Sequence, residues 1–183
     1  MSPAKKNKTP KNLIRYQLRI TLLGISPPVW RLVEVPGSLT LGALHNTIQL
    51  VMGWGDEHLH EFMSSRGRNA TIYAEDDERS VRVWQVLKRK GSKFYYRYDF
   101  GDCWDHEIRV ENRLNVTTSD EAIRCLDGRR ACPPEDSGGA WSYMEAIKRL
   151  ASDENDAELR EWYGDFDPEQ FALRDVQAIL SQA

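Results

Sequence analysis

Ile14-Arg15-Tyr16-Gln17-Leu18-Arg19-Ile20-Thr21-Leu22 alternates apolar and polar residues without a break. Successive side chains of a strand point to opposite faces, so this segment predicts a half-buried β-strand with Ile14, Tyr16, Leu18, Ile20 and Leu22 inward. Pro27-Pro28 interrupts the pattern, because proline fixes φ and removes a ladder donor. Trp30–Val35 predicts a second strand, paired with the first as a hairpin and ended by Pro36-Gly37. From Leu41 the period becomes helical: Leu41, Leu44, Ile48, Val51 and Met52 share one stripe. Thr40 or Ser38 can cap the start of that helix, and Gly53 is placed to end it. His45 falls at the edge of the stripe and reads as a packing residue.

Further on, Asp56–Met63 predicts a third strand with His58, His60 and Phe62 on one face. Glu75–Glu78 reads as a solvated acidic loop, and Val81–Lys88 fits either a strand or a short helix. Phe94–Asp99 and Trp104–Glu111 predict another hairpin, in which Trp104, His106, Ile108 and Val110 face inward. The last third is helical: Trp141–Leu150, with Trp141, Met144, Ile147 and Leu150 at three-residue spacing, then Ala157–Trp162, then Asp175–Leu180. Asp167-Pro168 has the form of a cap followed by a first turn. Together these elements predict a single α+β domain over residues 12–183, with a mostly antiparallel curved sheet and a helical C-terminal third packed against it. Its hairpin–helix–strand opening has the order of β-grasp folds.

Composition narrows the class. The chain has 183 residues, 40% of them apolar, with six Trp and seven Tyr, which suits a globular domain with a real core and not a disordered chain. No apolar run approaches the roughly 18 to 20 residues that span a bilayer, so no membrane partner is expected. Residues 1–11 hold Lys5, Lys6, Lys8 and Lys11, no acid and no apolar stretch; they predict a disordered basic tail and no secretory signal. The net charge is −3, so without those four lysines the rest of the chain stands at −7, a poor match for a broad phosphate-binding face. Three cysteines, an odd number, argue against a disulfide framework and for a cytoplasmic location.

Chemistry is concentrated in two stretches. Tyr98-Asp99-Phe100-Gly101-Asp102-Cys103-Trp104-Asp105-His106-Glu107-Ile108 crowds acids, an imidazole and an indole around a hairpin tip, and Cys132-Pro133-Pro134-Glu135-Asp136-Ser137-Gly138-Gly139 follows about 30 residues on. With His60, they offer Asp99, Asp102, Trp104, His106, Glu135 and Asp136 as ligand-binding candidates. The sharpest expectation is that the Asp99–His106 turn, the His58–Phe62 segment and the Glu135–Gly139 loop meet on one side of the sheet. Trp104 would then wall a pocket, and His106 would find a hydrogen-bond partner in Asp102, Glu135 or His60.

Several readings compete for these residues. His60, His106, Asp102 and Glu135 could hold a divalent first-row ion, although no H-E-x-x-H spacing is present. In the plainer reading, which is favoured, Asp99 and Asp102 bond backbone N–H groups of their turn. Cys125 and Cys132 read as buried thiols bordering a loop, with a nucleophilic cysteine served by His106 as the lesser reading. Asp136 or Ser137 reads as the cap of the following helix, in preference to an anion site at Gly138-Gly139. Lys88-Arg89-Lys90 and Lys93 ahead of Phe94–Tyr98 keep a nucleic-acid stacking platform as a lesser reading.

Taken in order, several motifs resemble one family. They are Pro27-Pro28-Val29-Trp30-Arg31, Leu44-His45 through Gly53-Trp54, His58-Leu59-His60-Glu61-Phe62, Tyr98-Asp99-Phe100-Gly101-Asp102 with Trp104 and His106, Cys132-Pro133-Pro134-Glu135-Asp136 with Gly138-Gly139, and Phe166-Asp167-Pro168. The family is the one named for the third open reading frame of plasmid pRiA4b, some members of which are described as insertion-element passenger proteins. Cys103 stands where that family usually has a small polar residue. The resemblance implies a plasmid or mobile-element setting and no particular reaction or cofactor. The expectation for function is a non-catalytic binding or interaction module with a polar–aromatic pocket and a protein or small-molecule partner. A metal-dependent hydrolase and a DNA-associated accessory factor are the alternatives.

Overall fold

The uninterrupted alternation of Ile14–Leu22 becomes the middle of a sheet. The computed structural model describes residues 13–152 and 156–182; the basic tail expected over residues 1–11 lies outside the described residues. Strand β1 (Ile14–Leu22) pairs antiparallel with β2 (Trp30–Pro36), Leu18 opposite Val33. Ile14, Tyr16, Leu18, Ile20 and Leu22 are all buried, as the alternation requires. Arg15 points the other way and is buried as well, because Glu34 and the carbonyls of Asp120 and Ala122 take up its guanidinium.

Helix α1 (Leu41–Met52) sets Leu41, Leu44, Ile48, Val51 and Met52 into the core. The Thr40 hydroxyl accepts from the Ala43 N–H at 3.1 Å, and Gly53 closes the helix in the left-handed region at φ 88°, a conformation open to glycine because it has no Cβ. Buried Arg31 on β2 donates to the last-turn carbonyl of Val51 at 2.8 Å and to the Arg129 carbonyl at 3.0 Å. One side chain thus satisfies an orphan helix carbonyl and ties together helix and sheet.

The remaining strands are β3 (His60–Met63), β4 (Ile72–Tyr73), β5 (Lys93–Tyr98), β6 (Trp104–Asn115) and β7 (Arg124–Arg129). They complete a seven-stranded sheet in the order β4-β3-β5-β6-β1-β2-β7, every neighbouring pair antiparallel. Short helices α2 (Glu75–Glu78) and α3 (Val83–Val86) separate β4 from β5, and α4 (Gly139–Ser152), α5 (Ala157–Tyr163) and α6 (Leu173–Leu180) form the C-terminal third. The fold is the α+β single domain that the sequence predicts, with its hairpin–helix–strand opening. The Phe171 ring helps seat the C-terminal part: it lies so close to Gly128 that a Cβ there would stand 2.5 Å from it, and the Arg31 guanidinium sits 4.5 Å from its centre. No helix among the described residues is long and apolar enough to cross a membrane.

Several local expectations need correcting. The third strand begins only at His60, because residues 54–59 leave the sheet to bond with neighbouring loops, so His58 is a loop residue. The acidic run Glu75–Glu78 is a helical turn, and Glu78 is buried by its bond to His60. In α4 the buried positions are Gly139, Tyr143 and Ala146, while Trp141 is 77% exposed: a strict three-residue spacing drifts around a helix of 3.6 residues per turn. Asp167 closes a turn by accepting from the Glu169 N–H at 2.9 Å, and the helix begins later, at Leu173.

Candidate functional site

The chain leaving α1 is stitched to two distant segments. Trp54 donates from its indole to the Pro133 carbonyl at 2.9 Å and stacks on Tyr98 at 5.0 Å. The Gly55 N–H donates to Glu135 Oε2 at 2.9 Å, while the Tyr98 hydroxyl donates to Glu135 Oε1 at 2.5 Å and accepts from the Glu57 N–H at 2.9 Å. Burial, reinforced by the bond to Glu135, pushes the Tyr98 hydroxyl upward and keeps it a donor. Both Glu135 oxygens are therefore occupied.

The β5–β6 tip is held by its own acids. Asp99, in the left-handed region at φ 56°, accepts at Oδ1 from the Gly101 N–H at 2.8 Å and the Asp102 N–H at 3.3 Å. Aspartate favours such turns because its short carboxylate mimics a backbone acceptor. Asp102 Oδ2 in turn accepts from the Gly138 N–H at 2.9 Å. Gly139 follows at φ 79°, where a Cβ would lie 2.5 Å from the Asp102 carbonyl oxygen. Only glycine allows the two segments to approach so closely. The Ser137 hydroxyl donates to the Pro134 carbonyl and closes its own loop, and α4 begins only at Gly139, two residues further on.

The turn, the 54–60 segment and the Glu135–Gly139 loop therefore lie side by side. His106 departs from its expected partners. It is fully buried, and its Nδ1 bonds the Trp104 carbonyl at 2.9 Å, not Asp102, Glu135 or His60. A carbonyl only accepts, so Nδ1 carries the proton and Nε2 is left as a bare lone pair with no partner. Burial in this apolar setting pulls the imidazole down to about 4. Trp104 is equally buried beside Trp54, so it underlies the site and does not wall an open pocket.

All four histidines of the chain lie along this aromatic seam. His106 contacts Tyr96 and Trp54, His60 contacts Tyr96, His58 contacts Tyr98, and His45 stacks on His60 with ring centres 3.5 Å apart and planes within 4°. His45 Nε2 stands 2.9 Å from Asp56 Oδ1, and its Nδ1 stands 2.8 Å from the Tyr96 hydroxyl, which also accepts from Gln49. Burial, then the neighbouring His60, pulls the His45 imidazole below its ordinary range. His60 Nε2 lies 3.1 Å from Glu78 Oε2. At the other end of the loop, His58 Nε2 is buried without a hydrogen-bond partner, 3.4 Å from Asp136 Oδ1 and 3.9 Å from Asp99 Oδ2.

Among the described residues, the donor groups near enough to share one ion are His45/Asp56/His60 and His58/Asp99/Asp136. The quartet His60, His106, Asp102 and Glu135 is not drawn together, since each member is held by a different partner. In the sequence Asp56 falls in an expected strand, Glu78 in an expected acidic loop and His45 at the edge of a packing stripe, so none of the three stands out as a site residue. A scarcity signal was available: with four histidines in all, His45 and the His58/His60 pair were the imidazoles to follow.

Other readings lose their geometric basis. Cys125 and Cys132 are buried, which pushes their thiols upward and away from the thiolate a nucleophile needs. The interleaved rings Phe94, Tyr96 and Tyr98 are core residues, and the intervening cations are paired, Lys93 with Glu107 and Arg97 with Asp105. Those three rings offer no face on which bases could stack, and Tyr95, on the other side of β5, is half-buried.

A cleft of about 450 Å³ opens beside Asp136 and Ser137, between α4 and α5, and is lined by Trp141, Leu159, Trp162 and Tyr163. Trp141 and Trp162 are 77% and 50% exposed.

The chain is 38% identical over 162 residues to the uncharacterized protein y4hQ of Sinorhizobium fredii strain NGR234, a match covering 82% of this chain and 81% of that protein. The crystal structure of MM3350, a protein of unknown function from Methanosarcina mazei Go1, superposes with a TM-score of 0.78 at 35% identity, covering 88% of this chain and 96% of that one. Residues 15–175 match the family of plasmid pRiA4b ORF-3-like proteins, and the chain belongs to that family.

Proposed function

We propose that the protein is a non-catalytic binding module of a plasmid-associated, mobile-element type, and that its ligand is a small organic cation with a flat apolar body. The observation that carries this reading is the pair of exposed indoles, Trp141 and Trp162, lining a cleft with an acidic rim. Exposed tryptophans contribute little to a core, whereas ligand sites typically combine an apolar cavity of roughly 300 to 1,000 Å³ with a few placed polar groups. Asp136 and Glu145 supply negative charge at the rim, and Arg149 is already paired with Asp156 at 2.6 Å. An ammonium group suits both these carboxylates and the indole faces. Of the residues expected to bind ligand, Asp136 lines the cleft, and Asp99 stands near it through His58. Trp104, His106, Asp102 and Glu135 hold the shape beneath.

The test is a titration with phenethylammonium and, separately, phenylacetate, followed through the indole N–H resonances of the ¹⁵N-labelled protein. The amine is expected to shift the Trp141 and Trp162 signals saturably, with binding abolished by Trp162→Ala and weakened severalfold by Asp136→Asn. If neither probe moves these signals, or both bind equally well with and without Asp136, the reading is wrong.

A further inference from the structure

We propose that His45, Asp56 and His60, with Glu78 behind His60, form a binding site for one first-row divalent metal ion, with zinc the best match. The site is separate from the cleft and does not depend on that reading. The four residues come from four segments: α1, the loop after it, the start of β3, and α2. Ligand atoms of His45, Asp56 and His60 all lie within 4.8 Å of one another; Glu78 stands outside that set, against His60 at 3.1 Å. Two ligands bound at roughly 2.1 Å to one ion stand about 3.0 to 3.4 Å apart. The spacing of 2.9 Å for His45 with Asp56 is close to that separation.

A second observation separates an ion site from two ordinary hydrogen-bonded pairs. Glu78 is 4% exposed, yet its Oε1 has no partner. A buried carboxylate oxygen left bare costs more than any other simple polar group, and native proteins satisfy nearly all of them. A cation bound by Asp56 and by the edges of the two imidazoles, which carry the lone pairs and must turn out of their stacked arrangement to meet it, would offset that buried negative charge. The half-exposed Asp56 side chain gives a route in from solvent. Tyr96 offers the outer contact that a metal-bound imidazole needs, since its hydroxyl meets His45 Nδ1 and leaves Nε2 to face the ion. Two imidazoles with a carboxylate favour zinc and its neighbours over magnesium or calcium, which prefer all-oxygen sets.

The experiment uses the untagged full-length chain, stripped with chelator and desalted. Zn²⁺ and Mg²⁺ are titrated by calorimetry, and Co²⁺ by visible absorption. One Zn²⁺ per chain is expected, with proton release, a higher Tm and a nitrogen-ligated Co²⁺ spectrum, and no comparable response to Mg²⁺. Asp56→Asn with His60→Gln should weaken zinc binding at least tenfold. His58→Gln with Asp136→Asn should leave it unchanged. Asp56→Asn alone, made at an exposed side chain, serves if the first double variant fails to fold. Absence of saturable zinc binding, or full binding by the Asp56 variants, would overturn the proposal; so would loss of binding confined to the His58/Asp136 variant, which would place the ion at the other cluster.

Discussion

His106 makes the sharpest claim about stability. It is fully buried on β6, and burial outweighs the raising effects of the Trp104 and Tyr96 backbone and of the Asp105 carboxylate, bringing it from 6.5 to about 4. The other side chains packed around it, Trp54 and Tyr96, are uncharged rings. The unfolded chain takes up a proton as pH falls through 6.5, while the folded chain does not until about 4. The stability tied to the neutral imidazole is therefore fully present above pH 6.5 and is lost as pH falls toward 4. At about 1.4 kcal/mol per pH unit the whole effect is roughly 3 kcal/mol, of which about 2 kcal/mol is lost between pH 7 and pH 5. Other groups titrate in the same window, so the measurement is a difference. Urea unfolding of the wild type and of His106→Leu is followed by tryptophan fluorescence at pH 7, 6 and 5. Removing the bond to the Trp104 carbonyl should make the variant less stable at pH 7 by about 1 to 3 kcal/mol. That gap should then shrink by about 2 kcal/mol at pH 5 and can change sign. A gap that stays constant from pH 7 to pH 5 would refute the assignment of His106 as a buried neutral imidazole.

Two further substitutions probe the clamp around it. Gly139→Ala combines a left-handed backbone with a Cβ 2.5 Å from the Asp102 carbonyl, so it should cost at least about 2 kcal/mol in urea unfolding; a near-neutral result would show that the turn and loop do not meet there. Tyr98→Phe removes the donor to Glu135 and the acceptor of the Glu57 N–H. In a double-mutant cycle with Glu135→Gln, a coupling of about 1 kcal/mol or more is expected, and zero coupling would remove this pair from the set of rivets.

Where one face of an element is uniformly buried, its pattern in the chain is plain. The five inward residues of β1 and the stripe of α1 are legible because packing on one side imposes the period. β7 is not, because Arg124-Cys125-Leu126-Asp127-Gly128-Arg129 is an edge strand of charged and small residues. Its pairing with β2 depends on the backbone and not on side-chain alternation. Glu78 is hidden for another reason: three exposed acids precede it, and nothing local distinguishes the one that turns inward to His60. The same limit applies to Asp56, whose partner His45 lies back across α1. By contrast the turn acids Asp99 and Asp102 and the pair Gly138-Gly139 could be located from sequence, because left-handed turns and close backbone approach admit few residue types.

The segment from Trp54 to His60 holds two kinds of polar group, and the difference between them bears on where function resides. In its middle every group is matched: Gly55, Glu57, Tyr98 and Glu135 use one another's donors and acceptors, and Asp102 is joined to Gly138. A ligand that bound there would have to break bonds already made, and would gain little for it. At the two ends, as at His106 Nε2 beneath, the matching stops. Glu78 Oε1 and His58 Nε2 are buried without hydrogen-bond partners, each beside further carboxylates and imidazoles. The matched middle fixes the spacing between these ends, since Asp56 and His58 belong to the stretch that Glu135 and Tyr98 hold down. A rigid centre with unsatisfied termini is what a binding protein needs, because groups held in place beforehand lose little entropy on meeting a ligand. By this logic the residues most conspicuous in the sequence, His106 and Glu135, position the loop, and the ligand contacts proposed above, Asp136 at the cleft and Asp56 at the metal site, lie to either side of it.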